Sequence, residues 1–384
     1  MTVDSVLYDL DSLYLDIDPQ QQTQAWQQSQ KLSTPQRRWQ GYLNQLGLNT
    51  LLTWLKAEDF SAKAALAAPL QPTLWELITG SAIDCQEARL VLLPTEAIDD
   101  DELRVPQSWV DIPNWLGDYY LALQINPDEG WVRLAGFATH QDLKSKGTYD
   151  WRDRTYSLEA AELTTDSNVL WVAQNLYPEA TKRATVTPLP NLEITQAHQL
   201  IERLSSPTVR EPRLAISFEQ WGPLVAHGGW RRQLAQRRWG QPVLSLRQWL
   251  RSGVSQLAEQ LGWQQMVYQP AMATAREAGE MAAERPVICR ELEIEGAAYI
   301  LQVMPLTTAE NAWRFELTKA VGLVSPGVTL RLLTEDLQPF ENNQAIATEA
   351  VDGLYVDVAV ANKEGLVWQT QPVPSQYDQE ILRF

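Results

Sequence analysis

Cysteine occurs only at Cys85 and Cys289, and histidine only at His140, His198 and His227. Two distant cysteines exclude a disulfide framework. Each reads as a small buried hydrophobe, because Cys289 has Arg290 beside it but neither has a nearby histidine to act as a base. No two histidines share a metal-ligand spacing, so no metal is expected. Neither the P-loop pattern nor Gly-x-Gly-x-x-Gly is present, which removes the usual phosphate cradles and gives no reason to expect a cofactor. Without a Gly-x-Ser-x-Gly companion, His227-Gly-Gly229 reads as a turn before the Trp230 helix rather than an oxyanion loop. No run approaches the roughly 18 uninterrupted apolar residues of a membrane span. The N-terminal stretch to Asp18 has Asp4, Asp9, Asp11, Asp16 and Asp18 but no Lys or Arg, unlike a secretory signal, so a cytoplasmic protein is expected.

What the chain has instead is aromatic mass and segregated charge. Sixteen tryptophans and a 45% apolar fraction argue for a folded protein, and 384 residues suffice for two or three domains. Between Arg210 and Arg251, eight arginines face only Glu211 and Glu219. That leaves +6 in a chain of net −17, so the remainder carries −23. The acidic remainder argues against bulk nucleic-acid binding, because a long polyanion would be repelled over most of the surface. The band itself fits an acidic protein surface, or the protein's own acidic N-terminus. Its candidate binding residues are Arg231, Arg232, Arg237, Arg238, Arg247 and Arg251 with Trp230 and Trp239. The competing reading puts the tryptophans in the core and pairs the arginines inside the chain, with Asp4, Asp9, Asp11, Asp16 and Asp18 as partners.

Periodicity organises the rest. Leu13 to Asp18 alternate as a strand, Asp18-Pro19 and Thr34-Pro35 are helix starts, and an apolar stripe from Trp39 to Leu55 predicts a helix with a kink or break around Gly47. Strands are expected at Leu74–Thr79, Glu87–Leu93, Asp118–Ile125 and Trp131–Phe137, the last two joined as a hairpin through Asn126 to Gly130. The acidic run from Asp99 to Glu102 reads as a solvated loop. Asp128, Asp142 and Lys144 resemble a metal-dependent nuclease pattern, but the polar helical context of Asp142 argues against it. Thr195 is the expected cap of a helix burying Ala197, Leu200, Ile201 and Leu204. Ser245-Leu-Arg-Gln248 has capping-box form, opening a helix expected to run from Leu246 to Leu261. After a connector, a two-residue period returns from Leu292 to Val360.

The expected fold is α+β. Residues 1–187 form an N-terminal helix-and-sheet domain, 188–269 a helical segment rich in Arg and Trp, 270–285 a linker, and 286–384 an antiparallel β-sandwich for which an immunoglobulin-like architecture is one form. Gly41-Tyr-Leu-Asn44, Arg154-Thr-Tyr-Ser-Leu158, Leu170-Trp-Val-Ala173, Phe218-Glu-Gln-Trp221 and Leu246-Arg-Gln-Trp-Leu250, in this order, resemble the cyanobacterial family catalogued as domain of unknown function 1822. That resemblance covers most of the chain and implies no catalytic residues. It also implies a neighbourhood of regulatory genes such as alternative sigma factors. The expected role is a non-enzymatic regulatory or protein-interaction module. The alternatives are a sequestering regulator of a transcription factor and a metal-dependent hydrolase or nuclease.

Overall fold

The computed structural model describes residues 13–97, 101–166, 182–267, 286–306, 309 and 311–384. The fold is α+β and divides into two compact units, Met1–Leu192 with Gln196–Gln241, and Glu193–Thr195 with Pro242–Phe384.

The first unit is built on a six-stranded sheet. Its strands are β1 (Leu13–Asp16), β2 (Ala62–Ala64), β3 (Ser81–Cys85), β4 (Ala88–Thr95), β6 (Tyr119–Asn126) and β7 (Trp131–Thr139), in spatial order β1-β7-β6-β4-β3-β2. Only the β4·β6 pair is parallel; β6 and β7 form the hairpin expected from the turn ending at Gly130, whose φ of 77° suits glycine. Asp18 and Thr34 cap α1 (Pro19–Ser29) and α2 (Pro35–Ala57) as their sequences dictate, each followed by proline in the first turn. Helix α2 does not break at Gly47. A Cβ there would lie 3.3 Å from Leu123 and 3.4 Å from Ile125, so the glycine lets an unbroken helix approach β6 closely.

The segment Leu74–Thr79 is not a strand. Its start lies in α3 (Gln71–Trp75), where Pro72 presets a helical first turn and Leu74 and Trp75 are buried. A second, three-stranded sheet joins β5 (Glu102–Pro106), β9 (Thr155–Glu159) and β8 (Thr148–Asp150) in that order. Helices α4 (Gln107–Asp111) and α5 (His140–Ser145) flank it in sequence. Helix α6 (Ile194–Leu204) buries the expected face of Ala197, Leu200, Ile201 and Leu204, but it begins one residue before Thr195, which therefore lies inside the helix rather than at its cap. Helices α7 (Phe218–Ala226) and α8 (Gly228–Arg238) complete the unit, and α7 brings Trp221 into the core with its indole N–H 3.1 Å from Ser108 Oγ.

In the second unit Ser245 and Gln248 form the capping box that opens α9 (Leu246–Ser252). The helix expected to run to Leu261 is cut at Gly253, whose φ of 86° lies outside helical space, and α10 (Gln256–Gln260) starts afresh under a Ser255 cap. Beyond it lie two antiparallel sheets. One orders β10 (Trp263–Val267), β11 (Pro286–Ile294), β12 (Ala297–Pro305), β13 (Ala312–Lys319) and β16 (Gly353–Ala359) in sequence. The other orders β15 (Gln344–Ile346), β14 (Thr329–Thr334), β17 (Gly365–Gln371) and β18 (Ile381–Arg383). Their inner faces meet through Trp263 against Trp368 and Trp313 against Phe384, with ring centroids 6.4 and 4.9 Å apart. This is a β-sandwich in which the described strands β10, β11, β12 and β13 lie side by side in chain order.

Candidate binding site

The Arg and Trp band is divided between the two compact units. In the first unit Trp230 is buried and stacked on His227 at 4.3 Å, and the His227 ring nitrogen Nδ1 caps α8 by accepting from Trp230 N. Arg231 is buried, donates from Nη1 to Val225 O at 2.8 Å and lies 5.6 Å from the Trp115 ring; Arg232 is buried as well. Arg238 Nε donates to Glu76 Oε1 at 2.8 Å, the two side chains being 3% and 0% exposed. Trp239 Nε1 and Ser33 N reach the other oxygen of the same carboxylate at 2.9 Å, and Ser33 Oγ donates to Oε1. Glu76 is thus a buried hub on which α8 is anchored. Arg237 is exposed. In the second unit Arg247 is half-buried and donates to Asn311 Oδ1 at 2.7 Å, while Arg251 is exposed. Of the acidic partners expected at the N-terminus, Asp16 and Asp18 are exposed, and Asp4, Asp9 and Asp11 lie outside the described residues.

A different set of arginines converges on open space. Arg37 from α2, Arg104 from β5 and Arg213 from the turn before α7 line a cavity of about 380 Å³ together with Gln40, Thr155 and Glu211. Arg37 Nη2 meets Glu211 Oε2 at 2.6 Å, and Arg213 Nε lies 3.6 Å from the same oxygen. Arg104 pairs with Asp153 at 2.5 Å and Glu102 at 3.4 Å. Burial pulls the Arg213 guanidinium below its ordinary value, with Arg37 and Arg154 adding repulsion and Glu211 and Asp153 opposing the change. Gln40, Thr79 and Arg104 also line an adjoining cavity of about 580 Å³, to which Leu93, Leu103 and Leu163 contribute apolar wall.

Beside this cavity the β8–β9 hairpin ends in a tip formed by Trp151, Arg152, Asp153 and Arg154. Trp151 is 72% exposed, with the Arg152 guanidinium 5.5 Å from its ring. The base of the hairpin is firmly held. Arg154, at a φ of 52°, donates to Arg213 O at 2.7 Å and to Ile216 O, and Arg213 donates to Asp153 O. Tyr149 OH donates to Gln107 Oε1 at 2.8 Å, and Lys144 joins Tyr156 OH and Asp111 at 2.8 and 2.9 Å. The signal for Trp151 was local: a tryptophan in the charged turn from Asp150 to Arg154 has no apolar neighbour with which to share a core face. Arg37, Arg104 and Arg213 carry no such signal, since their convergence is made by chain segments far apart in sequence.

Burial raises the Cys85 thiol and pushes that of Cys289 up to about 11. Burial lowers His140, whose Nε2 lies 2.8 Å from Val110 O while Nδ1 accepts from Ala184 N at 2.9 Å. Asp142 forms a capping box with Thr139, and Lys144 pairs with Asp111, so neither joins Asp128 in a nuclease arrangement. Among the described residues no group of three or more His, Cys, Asp or Glu is placed to hold a metal, and no helix is long and apolar enough to cross a membrane. Of the acidic run, Asp99 and Asp100 lie outside the described residues, and Glu102 begins β5. A family model matches residues 15–383, and its description reads protein of unknown function (DUF1822). No curated protein and no solved structure matches the chain.

Proposed function

The chain belongs to the DUF1822 family of proteins of unknown function, and we propose that it is a non-enzymatic regulatory module that docks a protein partner through the tip of its β8–β9 hairpin. The observation that carries this reading is the exposed Trp151 with Arg152 stacked against it, on a hairpin whose base is hydrogen-bonded to α4, α5 and the turn before α7. Tryptophan, tyrosine and arginine dominate interface hot spots because they bury large area while losing few rotamers, and a braced hairpin lowers the entropic cost of docking further. An acidic partner surface suits the tip. Arg152 supplies the planar fork that a carboxylate accepts, and Trp151 the apolar anchor beside it. The buried members of the Arg and Trp band then serve the fold, Arg238 bonded to Glu76 and Arg231 and Arg238 to main-chain carbonyls.

The test is affinity capture on immobilised full-length chain, comparing wild type with Trp151→Ala and Arg152→Glu. Each substitution should weaken retention of the captured protein by about 2 kcal/mol, roughly thirtyfold, while the thermal melt stays unchanged. Equal retention by all three proteins would remove the hairpin from the interface. A captured transcription factor would make the module a sequestering regulator.

A further inference from the structure

We propose that the cavity between Arg37, Arg104 and Arg213 binds a small organic phosphate monoester, with its phosphoryl group on the guanidinium groups and its organic body in the adjoining cavity against Leu93, Leu103 and Leu163. The charge balance is the first reason. Three arginines line the smaller cavity and Glu211 is the one carboxylate among its lining residues; Arg104 is already paired with Asp153 and with Glu102, which lines the adjoining cavity together with Asp101. Arg37 and Arg213, whose side chains are largely buried, therefore share one carboxylate and keep one positive charge in excess. Holding that charge at a partly desolvated site is costly without a counter-anion, and a phosphate monoester, at about −1.5 to −2 at neutral pH, supplies it with oxygens enough to meet Arg104 as well.

The donors are the second reason. Guanidinium forks match phosphate oxygens in pairs; Arg37 is already oriented by its bond to Glu211, and Arg213 by its donation to Asp153 O, with its Nε 3.6 Å from the same Glu211 oxygen. Gln40 Nε2 is buried and meets no acceptor among the described residues, although Gln40 lines both cavities. A buried amide N–H without an acceptor is rare in a folded protein, and a ligand oxygen at this junction would supply one. The third reason is the neighbouring space. Its leucine wall gives an organic group apolar contact that inorganic phosphate cannot use.

Isothermal titration calorimetry on the full chain, with phenyl phosphate, inorganic phosphate and benzoate as probes, tests the assignment. Phenyl phosphate should bind saturably at one site, with inorganic phosphate and benzoate each weaker by about tenfold or more. Arg104→Gln and Gln40→Glu should each lower the phenyl phosphate affinity by about tenfold or more. Arg104 has a half-exposed side chain, so its replacement should leave the ligand-free melt in place and keep the test valid if Gln40→Glu or an Arg37 variant fails to fold. No saturable heat with phenyl phosphate up to about 10 mM would overturn the proposal, and so would binding that Arg104→Gln leaves intact. Benzoate binding as tightly would overturn the phosphate assignment, and inorganic phosphate binding as tightly would overturn the ester.

Discussion

At the residue scale, a few buried carboxylates decide where arginine and tryptophan side chains go. Glu76 in the first unit holds Arg238 and Trp239, and Glu380 in the second accepts from Trp263 Nε1 at 2.9 Å and from Arg290 Nη1 at 2.7 Å, with Arg290 lying 5.8 and 5.4 Å from the rings of Trp263 and Trp368. Removing one member of such a pair leaves a charge in a site that cannot hydrate it. Arg238→Met should therefore cost about 3 to 5 kcal/mol in urea unfolding, whereas Arg237→Glu on the exposed side should stay within about 0.5 kcal/mol. Reversing Arg231 and Arg238 together should unfold the first unit, because both guanidinium groups are enclosed; near-ultraviolet circular dichroism would register the loss of tryptophan packing. Asp142 offers a pH signature. Burial opposes its ionisation, but hydrogen bonds from Thr139 and Lys146 hold the carboxyl below the usual range. A depressed acid contributes stability above its unfolded value of about 4 and loses it as pH falls through the folded value. The stability gap between wild type and Asp142→Asn should thus be full at neutral pH and close on acidification below about pH 4 in pH-resolved urea melts.

At the scale of elements, local signals set the helix starts while packing sets how far the helices run. Ser245 caps α9 through Gln248 N, so Ser245→Ala should cost about 1 kcal/mol. Within α9 the tertiary environment separates residues that share one sequence stripe: Leu246 and Trp249 are buried, Leu250 only half so. Trp249→Ala should therefore cost about 3 to 5 kcal/mol, with a clearly smaller loss for Leu250→Ala, measured by denaturant unfolding. Equal losses would mean that Leu250 is packed as deeply as Trp249. The same contrast explains Gly47 and Gly253. Both are glycines inside apolar helical patterns, yet only Gly253 adopts a positive φ, whereas Gly47 admits the side chains of β6 against α2.

For the whole molecule, the compact units divide at Gln241, so that α6 from Gln196 onward, α7 and α8 complete the first unit and α9, α10 and β10 belong with the sandwich. Trp263 of β10 is fully buried there, paired to β11 and bonded to Glu380. A fragment of residues 242–384 should consequently melt cooperatively with β-rich circular dichroism. One starting at residue 286 lacks β10, leaves the Glu380 carboxylate without its Trp263 donor, and should melt at a clearly lower temperature or fail to fold. Matching melts for the two fragments would show that β10 adds nothing to the sandwich.

The sequence by itself determined whatever depends on neighbours along the chain: the proline and Asp, Thr or Ser caps of α1, α2 and α9, the β6–β7 hairpin, the buried face of α6 and the alternating strands of the sandwich. These follow from dihedral preference and periodicity, which act over a few residues. Only the tertiary structure decided which charges meet. Glu76 and Arg238 are separated by 162 positions and Arg37 and Glu211 by 174, and no local pattern records such pairs. The arginine band was visible as composition, but its burial was not, because eight arginines read alike until the packing of α3, α7 and α8 encloses some of them and leaves Arg237 in solvent. The cavity lined by Arg37, Arg104 and Arg213 is likewise a product of the fold: α2, β5 and the turn before α7, far apart in sequence, each contribute one of its arginines.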